Sequence, residues 1–355
     1  MTITHPQLYE EAVGLLKQLI ATPSVSREEQ GTAGILQLYL RSKGIVPERV
    51  MNNVWALNRW FDPARPVLLL NSHHDTVQPN KGYTLPPYSP LERDGRLYGL
   101  GSNDAGGSLV ALLAAFLHFY DRPDLKYNLV FAASAEEEIS GPNGMRTLLP
   151  ALGQIDAAIV GEPTNLGMAV AEKGLMVLDC SVPGKAGHAA RAEGENAIYH
   201  ALPYIEWFRQ YRFPQESPLL GPVTMNVTMI RAGQQHNMVP DVCDFTVDVR
   251  INECYTHEQV LETVRQHVSC PVMPRSMYLR STSIKSNHPL VQAGLRLGRQ
   301  PFGSGTLSDK SLMPFPALKM GPGDSARSHT ADEFICLREI ADGIDTYIQL
   351  LNQIV

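Results

Sequence analysis

Apolar residues recur every three to four positions near the N-terminus and then give way to short continuous apolar runs. Residues 8–20 (LYEEAVGLLKQLI) and 28–44 (EEQGTAGILQLYLRSKG) have helical spacing, and Gly44 is typical of a helix end. Three strand-length apolar runs follow, at residues 66–72 (PVLLLNS), 127–134 (YNLVFAAS) and 155–162 (IDAAIVGE). Between the first two lies an apolar helix pattern at residues 108–120 (SLVALLAAFLHFY). Strands that alternate with helices predict an α/β domain with a mainly parallel sheet covered by helices.

The pattern changes after Lys173. Partly alternating strand patterns and two helical patterns follow, at residues 175–184, 196–210, 223–233, 242–251 and 256–268. This order predicts a small α+β unit with an antiparallel sheet. From residue 288 the first pattern returns, with a strand in 315–323 and a closing helix in 337–353. We therefore expect residues 1–172 and 285–355 to form one domain, and residues 173–284 to form a second domain inserted into it.

Composition narrows the class of protein. The 355 residues exceed what one core usually spans. A net charge of −6, a pI near 6.0 and scattered basic residues argue against a nucleic-acid partner. Five cysteines without a CxxC pair indicate a reducing compartment. The N-terminus lacks the features of a signal peptide, and no apolar run reaches membrane-spanning length, so we expect a cytoplasmic protein without a membrane partner.

Polar side chains follow the predicted strands of the first domain. Ligands bind outside the carboxyl ends of strands in open α/β sheets, so these residues are expected to converge. They are His73 and Asp75 after the first strand, Asp104 in a glycine-rich turn, Glu136, Glu137 and Glu138, Glu162, and His329 near the C-terminus.

Each of these residues also has a purely structural interpretation. His73 can belong to a hydrogen-bond network, because His-x-Asp is a weak motif. Asp104 can cap a helix, the three glutamates can form a solvated acidic helix start, and Glu162 and His329 can be loop residues. The combined set favours a metal site. Imidazole nitrogens and carboxylate oxygens without thiolates suit zinc, cobalt or manganese, and two metals bridged by a carboxylate would accommodate all of them.

Seven short motifs resemble those of the M20 metallopeptidases, the group of acetylornithine deacetylase, succinyl-diaminopimelate desuccinylase and glutamate carboxypeptidase. In family order they are HHDTV, GLGSNDAGG, AEEEISGPNG, GEPT, GKAGHAA, NMVPDVCDFTVDVR and GPGDSARSHTADEF. The chain departs from the family at Gly106, where lysine is common, at Gln78, where proline is common, and at Glu136, which is usually aspartate. These departures leave the subfamily open.

The resemblance implies a binuclear centre with two divalent ions, most commonly zinc, with cobalt as the alternative. His73, Asp104 and Glu162 would hold one ion, and Asp104 would bridge to the other. Glu138 and His329 would complete the second set. Asp75 would orient the His73 ring, and Glu137 would act as general base on a water activated by the metals.

The resemblance also implies that the inserted domain is ferredoxin-like, closes over the site and forms a homodimer. His188 would then reach the active site of the partner subunit, and Asn237 and Arg250 would contact substrate. From the residues alone, His188 can equally be a turn residue, and Arg250 can pair with Asp248 or Asp244.

The expected function is metal-dependent hydrolysis of the amide bond of an N-acyl amino acid, of the N-acetyl- or N-succinyl-ornithine or -citrulline type found in arginine biosynthesis. The alternatives are a succinyl-diaminopimelate desuccinylase, a di- or tripeptidase, and a non-catalytic metal-binding scaffold. A nucleotide-dependent dehydrogenase is disfavoured because no GxGxxG follows the first strand. By charge alone, Lys310, Arg327 and Arg250 are candidates for binding a substrate carboxylate.

Overall fold

The computed structural model describes residues 3–191 and 193–355, which form two compact units. The first unit contains residues 3–170, 284–302 and 308–355, and the second contains residues 171–283 and 303–307. The sequence pattern assigns residues 303–307 to the first domain, but they belong to the second unit. There the Ser304 carbonyl accepts a hydrogen bond from the Lys173 N–H at 3.1 Å.

The helices are α1 (Pro6–Ile20), α2 (Gln30–Ser42), α3 (Gly107–Phe119), α4 (Met145–Leu152), α5 (Ala197–Gln210), α6 (His257–His267), α7 (Pro289–Arg296) and α8 (Leu337–Leu351). The strands up to the second unit are β1 (Glu48–Val50), β2 (Asn53–Leu57), β3 (Val67–His73), β4 (Leu91–Arg93), β5 (Arg96–Tyr98), β6 (Asn128–Ser134), β7 (Ala157–Val160) and β8 (Met168–Glu172). The remaining strands are β9 (Gly174–Pro183), β10 (Gly187–His188), β11 (Thr224–Ala232), β12 (Met238–Val239), β13 (Val242–Ile251), β14 (Val272–Pro274), β15 (Thr282–Ser283), β16 (Pro301–Ser304), β17 (Ala317–Lys319) and β18 (Phe334–Cys336).

The first unit is built around a sheet whose four central strands are parallel, in the order β6-β3-β7-β17. Antiparallel strands flank them, with β2 and β1 beyond β6 and β8 beyond β17. Parallel neighbours direct all four carboxyl ends to one edge of the sheet. A separate three-stranded sheet, β18-β5-β4, belongs to the same unit.

Both faces of the central sheet are buried, which explains why its strands are apolar without alternation. Leu68 and Leu70 of β3 pack on one face with residues of α1, α2, α3, α7 and α8. Val67 and Leu69 pack on the opposite face with α4 and residues near 313–317. The prediction of an α/β domain with helices on both faces is therefore confirmed, although the antiparallel edge strands were not foreseen.

The second unit has a four-stranded antiparallel sheet in the order β11-β13-β9-β14. With α5 and α6 the chain order is β9-α5-β11-β13-α6-β14, which is a ferredoxin-like arrangement. Thr256 begins α6 with a capping box, in which its hydroxyl accepts the Gln259 N–H. The predicted inserted α+β domain is confirmed. In the described part of the chain, no helix has the length and apolar character needed to cross a bilayer.

Candidate metal centre

Adjacent parallel strands bring the predicted site residues of the first unit together. His73 is the last residue of β3, Glu137 and Glu138 lie in a 3₁₀ turn just after β6, and Glu162 follows β7. His329 lies in the loop between β17 and β18. Because β6, β3, β7 and β17 are neighbours in the sheet, side chains far apart in sequence meet at one edge.

The ring of His73 is held on both sides and is 1% exposed. Its Nε2 lies 3.2 Å from Asp104 Oδ1, and its Nδ1 lies 3.0 Å from the Asp75 carbonyl and 3.5 Å from Asp75 Oδ1. Burial lowers the pKa of His73, but the hydrogen bonds to Asp104 and Asp75 outweigh burial and raise the pKa well above its ordinary value. A ring fixed through Nδ1 presents Nε2 to the site, as a metal-binding histidine does.

Asp75 also organises the turn that carries the glutamates. Its carboxylate accepts the backbone N–H of Glu137 at 3.0 Å and that of Glu138 at 3.2 Å, and the hydroxyl of Ser26 donates to it at 2.7 Å. Asp75 therefore links the His73 ring to the backbone after β6. His74 faces away from this site, with its ring nitrogens 2.9 Å from Thr32 Oγ1 and 2.9 Å from the Asn52 carbonyl.

Asp104 lies between the two histidines. One of its oxygens, Oδ1, is 3.2 Å from His73 Nε2, and the other, Oδ2, is 3.6 Å from His329 Nε2. The same His329 nitrogen is 2.9 Å from Glu138 Oε2, and this hydrogen bond raises the pKa of His329 to about 9. A carboxylate with one oxygen toward each imidazole has the arrangement of a bridging ligand.

Glu137 is surrounded by other acids. Burial, followed by the negative charge of Glu162, raises the pKa of Glu137 well above its ordinary value. Burial also raises the pKa of Glu138, against the opposing hydrogen bond from His329. Carboxylates crowded in this way repel one another when ionised, and a divalent cation would turn the repulsion into attraction.

Among the residues that the structure describes, two groups of potential ligand atoms meet the geometric requirement for an ion. Single atoms of His73, Asp104 and Glu138 lie within 4.8 Å of one another, and so do single atoms of His73, Glu137 and Glu162. Nitrogen and carboxylate oxygen donors without sulfur fit zinc, cobalt or manganese. The residues present thus suit a metal centre of the predicted chemistry.

Glu333 is a functional candidate that the sequence analysis missed. It is 2% exposed, and its carboxylate accepts the backbone N–H groups of Gly101, Asn103 and Asp104 at 3.0, 2.8 and 2.9 Å. Burial raises the pKa of Glu333 to about 8, and the charge of Asp104 acts in the same direction. Glu333 holds the turn that carries Asp104. Its position four residues after His329 was the signal available in the sequence.

The turn also explains the glycine at position 106. A Cβ added to Gly106 would collide with the Gly101 carbonyl and would lie 2.6 Å from the Leu16 side chain. The turn as it is folded here has no room for a side chain at position 106.

Asp309 is a second missed residue. It is 4% exposed, and its Oδ2 accepts hydrogen bonds from the Ser134 hydroxyl at 2.5 Å and the Asn71 amide at 3.1 Å. Asn71 precedes His73 by two residues on β3, and Ser134 ends β6. Asp309 therefore connects the ends of the two strands that deliver His73 and Glu137. The sequence analysis considered only its neighbour Lys310.

His188 and Asn237 lie in the second unit and are near each other. β10 and β12 pair there with His188 opposite Met238, and the Asn237 carbonyl accepts the Ala189 N–H at 3.0 Å. The His188 side chain is exposed, and its Nδ1 accepts the Ala190 N–H at 3.2 Å. Their roles toward substrate remain predictions.

Three cations proposed from charge alone have partners in the structure. Arg250 makes two hydrogen bonds to Asp248, at 2.8 and 3.0 Å, as in the surface pairing considered above. Arg327 makes two to Glu339, at 2.7 and 2.6 Å. Lys310 is 1% exposed and donates to the Ala169 carbonyl at 3.2 Å.

Comparison with known proteins agrees with this site. The profile of Peptidase family M20/M25/M40 matches residues 69–353. A succinyl-diaminopimelate desuccinylase from Delftia acidovorans is 28% identical over 379 aligned positions, covering 96% of this chain and 97% of the relative.

Solved structures show the same fold. A tripeptidase from Staphylococcus aureus superposes with a TM-score of 0.79 at 20% identity, over 98% of each chain. A dinuclear metal-binding M20 peptidase from Bacillus subtilis superposes with a TM-score of 0.74 at 16% identity, over 98% of each chain. The chain therefore belongs to the M20 peptidase family and is a metallohydrolase that acts on amide bonds.

Proposed function

We propose that this protein removes the acyl group from an N-acyl amino acid, and that N-succinyl compounds are its first substrate class. The observation that carries the reaction type is the convergence of His73, Asp104 and Glu138 within 4.8 Å, beside Glu137 and Glu162. The preference for succinyl over the acetyl compounds of arginine biosynthesis rests on the full-length similarity to a succinyl-diaminopimelate desuccinylase.

The proposed centre would hold two divalent ions, which we expect to be zinc, with cobalt as the alternative. His73 and Glu162 would bind one ion and Glu138 and His329 the other, with Asp104 shared between them. Support comes from the orientation of Asp104, whose two oxygens face different imidazoles. When bound, the ions would supply positive charge that acidifies a water molecule and polarises the amide carbonyl.

Glu137 is the proposed general base, which takes a proton from the attacking water and delivers it to the departing amine. Burial and the charge of Glu162 raise the pKa of Glu137 above the ordinary range of a glutamate, which makes its carboxylate a stronger base. Its backbone N–H is fixed by Asp75, so the base and the His73 ring are positioned by the same carboxylate.

We also propose that the second unit forms a homodimer and supplies His188 to the partner's site, where it would hydrogen-bond the developing oxyanion. In the described sheet, β11 is an edge strand, and the residues of its C-terminal half are exposed, including Met229 at 45% and Ile230 at 54%. An exposed apolar edge of this kind is a favourable surface for pairing with a second chain.

A peptidase is the second candidate function, because tripeptidases share this fold. A panel of substrates distinguishes the two. N-succinyl- and N-acetyl- forms of diaminopimelate, ornithine and citrulline, together with di- and tripeptides, would be incubated with the metal-loaded protein while released amine is measured. The proposal requires the N-succinyl compounds to have the highest kcat/KM, and faster cleavage of peptides would contradict it.

Metal dependence is tested separately from the substrate. Removal of metal with a strong chelator should abolish hydrolysis, and zinc or cobalt should restore it. Elemental analysis of the reloaded protein should find about two ions per chain, the stoichiometry of a two-metal hydrolase site. Hydrolysis that survives complete removal of metal would refute the proposed centre.

A further inference from the structure

An open groove of about 310 Å³ lies beside Glu138 in the first unit. Its wall is formed by residues 25–27 and 76–78 together with Glu138 and Ile139. The groove therefore starts at a proposed metal ligand and continues along a surface that contains the exposed side chain of Arg27. Its volume is at the lower end of the range of small-molecule sites, about 300–1,000 Å³.

The backbone that carries Arg27 is tied to the metal centre. The Ser26 hydroxyl donates to Asp75 Oδ2 at 2.7 Å, and the Ser26 N–H donates to the Thr76 carbonyl at 3.2 Å. Thr76 in turn donates its N–H to the Ser24 carbonyl at 2.9 Å. These bonds hold residues 24–26, which directly precede Arg27, against Asp75 and Thr76.

Arg27 has an unusual backbone conformation. Its φ is +81°, in the left-handed region that non-glycine residues rarely adopt, and its N–H donates to the fully buried Glu29 carboxylate at 2.7 Å. Left-handed residues of this kind concentrate at binding sites. The hydrogen bond to the buried Glu29 carboxylate stabilises this conformation and so fixes the position of the Arg27 Cα and Cβ atoms.

The Arg27 guanidinium makes no ion pair with any described residue. This distinguishes it from Arg327 and Arg250, which are each engaged by a carboxylate in two hydrogen bonds. Arg27 lines a groove that also reaches Glu138, and its exposed guanidinium has no ion-pair partner among the described residues, so it is free to bind an anionic part of the substrate.

We propose that Arg27 is a specificity-determining residue that binds the terminal carboxylate of a dicarboxylic acyl group, such as the succinyl group, in the groove beside Glu138. This inference rests on the proposed function as an N-acyl amino-acid deacylase. An acetyl group has no charge to reach Arg27, so the contact would favour substrates with the longer, negatively charged acyl chain.

The test compares two acyl groups of the same length on one amino acid, N-succinyl and N-butyryl, of which only the first has a terminal carboxylate. In Arg27→Met the ratio of kcat/KM for the two compounds, succinyl over butyryl, should fall by about 10- to 100-fold, the effect of losing a hydrogen bond to a charged group. Methionine keeps a Cβ, so the left-handed backbone is strained equally in both proteins. Arg27→Lys should lose less of the ratio than Arg27→Met.

Lys81 offers a matched control, because it is also an exposed cation and does not line the groove. Lys81→Met should leave the ratio within about twofold of wild type, since it removes only a long-range, screened charge interaction. Thermal unfolding and metal content of all variants show that the site is intact. A ratio unchanged in Arg27→Met, or lowered equally in Lys81→Met, overturns the proposal.

Binding measurements keep this inference separate from the proposed reaction. Metal-loaded wild type and Arg27→Met would be titrated calorimetrically with succinate and with butyrate. Tighter binding of succinate that is lost in Arg27→Met supports the carboxylate site even if no N-acyl amino acid is hydrolysed. Equal binding of the two anions to wild type, or no binding of succinate, contradicts it.

Discussion

Individual residues in this site are tuned by burial and by neighbouring charge. Glu137 and Glu138 are adjacent in sequence, yet the structure gives them different surroundings. Glu138 is hydrogen-bonded to His329, whereas the nearest influences on Glu137 are burial and the charge of Glu162. Glu137 thus differs from Glu138 in being governed by burial and by the charge of Glu162, which suits the proposed exchange of a proton with water and substrate.

Replacement of Glu137 by glutamine tests this assignment. The amide cannot accept the proton, so kcat should fall by about 100- to 10,000-fold, while both ions are retained because the ligands are unchanged. Steady-state kinetics and elemental analysis of the same preparation measure the two effects. A variant as fast as wild type would show that another group is the base.

The buried carboxyl group of Asp309 leads to a prediction about how the stability of the metal-free protein depends on pH. Burial raises the pKa of Asp309 from its ordinary 3.8 to about 6, so its ionised form is disfavoured in the fold. Its cost to stability is absent below pH 3.8, grows as pH rises, and is complete above pH 6. Asp309→Asn should therefore gain stability relative to wild type over this interval, by about 3 kcal/mol at most for a shift of about two units.

Urea unfolding of both metal-free proteins at several pH values between 4 and 7.5 measures this difference. The isosteric asparagine retains an oxygen that can accept from Ser134 and Asn71, so the comparison isolates the charge. A stability difference that does not change with pH would mean that Asp309 is neutral, or fully ionised without cost, throughout the interval.

At the level of elements, the proposed site residues lie at the ends of strands and in the turns after them, and buried carboxylates accept hydrogen bonds from the backbone of these turns. Asp75 accepts the backbone of the turn after β6, and Glu333 accepts that of the turn before α3. Irregular backbone at the sheet edge cannot satisfy its own N–H groups, so buried carboxylates satisfy them instead.

Replacement of Glu333 by glutamine should weaken metal binding. The side-chain amide would direct a donor at one or more of the N–H groups that now face a carboxylate, so the Asp104 turn should loosen and metal affinity should fall by about 10- to 100-fold. Competition with a chromophoric chelator measures the affinity.

Asp332 provides the control for this substitution. Its carboxylate binds Thr84 and Leu85 rather than the turn of Asp104. Asp332→Asn should therefore change metal affinity much less than Glu333→Gln. Equal losses in the two variants would indicate general destabilisation of the loop instead of a specific role for Glu333.

At the scale of the whole molecule, the proposed site residues are divided between the two units. The first contains the proposed metal ligands and base, and the second contains His188, Asn237 and Arg250. A second unit with an exposed edge strand allows the proposed exchange of residues between subunits of a dimer.

Mixing two inactive variants tests this exchange. His188→Ala should lower kcat by about 100-fold, as expected for removal of one oxyanion donor, and Glu137→Gln should be still less active. In hybrid dimers one site combines an intact Glu137 with the partner's intact His188. An equal mixture that exchanges subunits freely should recover about a quarter of wild-type activity, because half of the dimers are hybrids with one competent site each.

Activity that stays at the level of the separate variants would mean that His188 acts within its own chain or has no catalytic role. Sedimentation of each protein shows whether dimers form at all, and covalently cross-linked homodimers, which cannot exchange subunits, provide the control for the mixture.

The sequence by itself determined the fold class of both units, although not the antiparallel edge strands of the first. The runs of 66–72 and 127–134 are apolar at every position because both faces of β3 and β6 are covered, and the alternation after Lys173 reflects a sheet with one covered face. The residues at the strand ends were also visible, because His73, Glu137, Glu138 and Glu162 interrupt apolar runs where a buried polar group needs a partner.

Only the tertiary structure decided which partners those groups have. The links from Asp309 to Ser134, from Glu333 to the Asp104 turn and from Arg327 to Glu339 join residues separated by 175, 229 and 12 positions, and no local pattern encodes such pairs. The same holds for Arg27, which is an ordinary charged residue in the sequence. Its importance arises from a left-handed turn and a groove that exist only once the strands have been brought side by side.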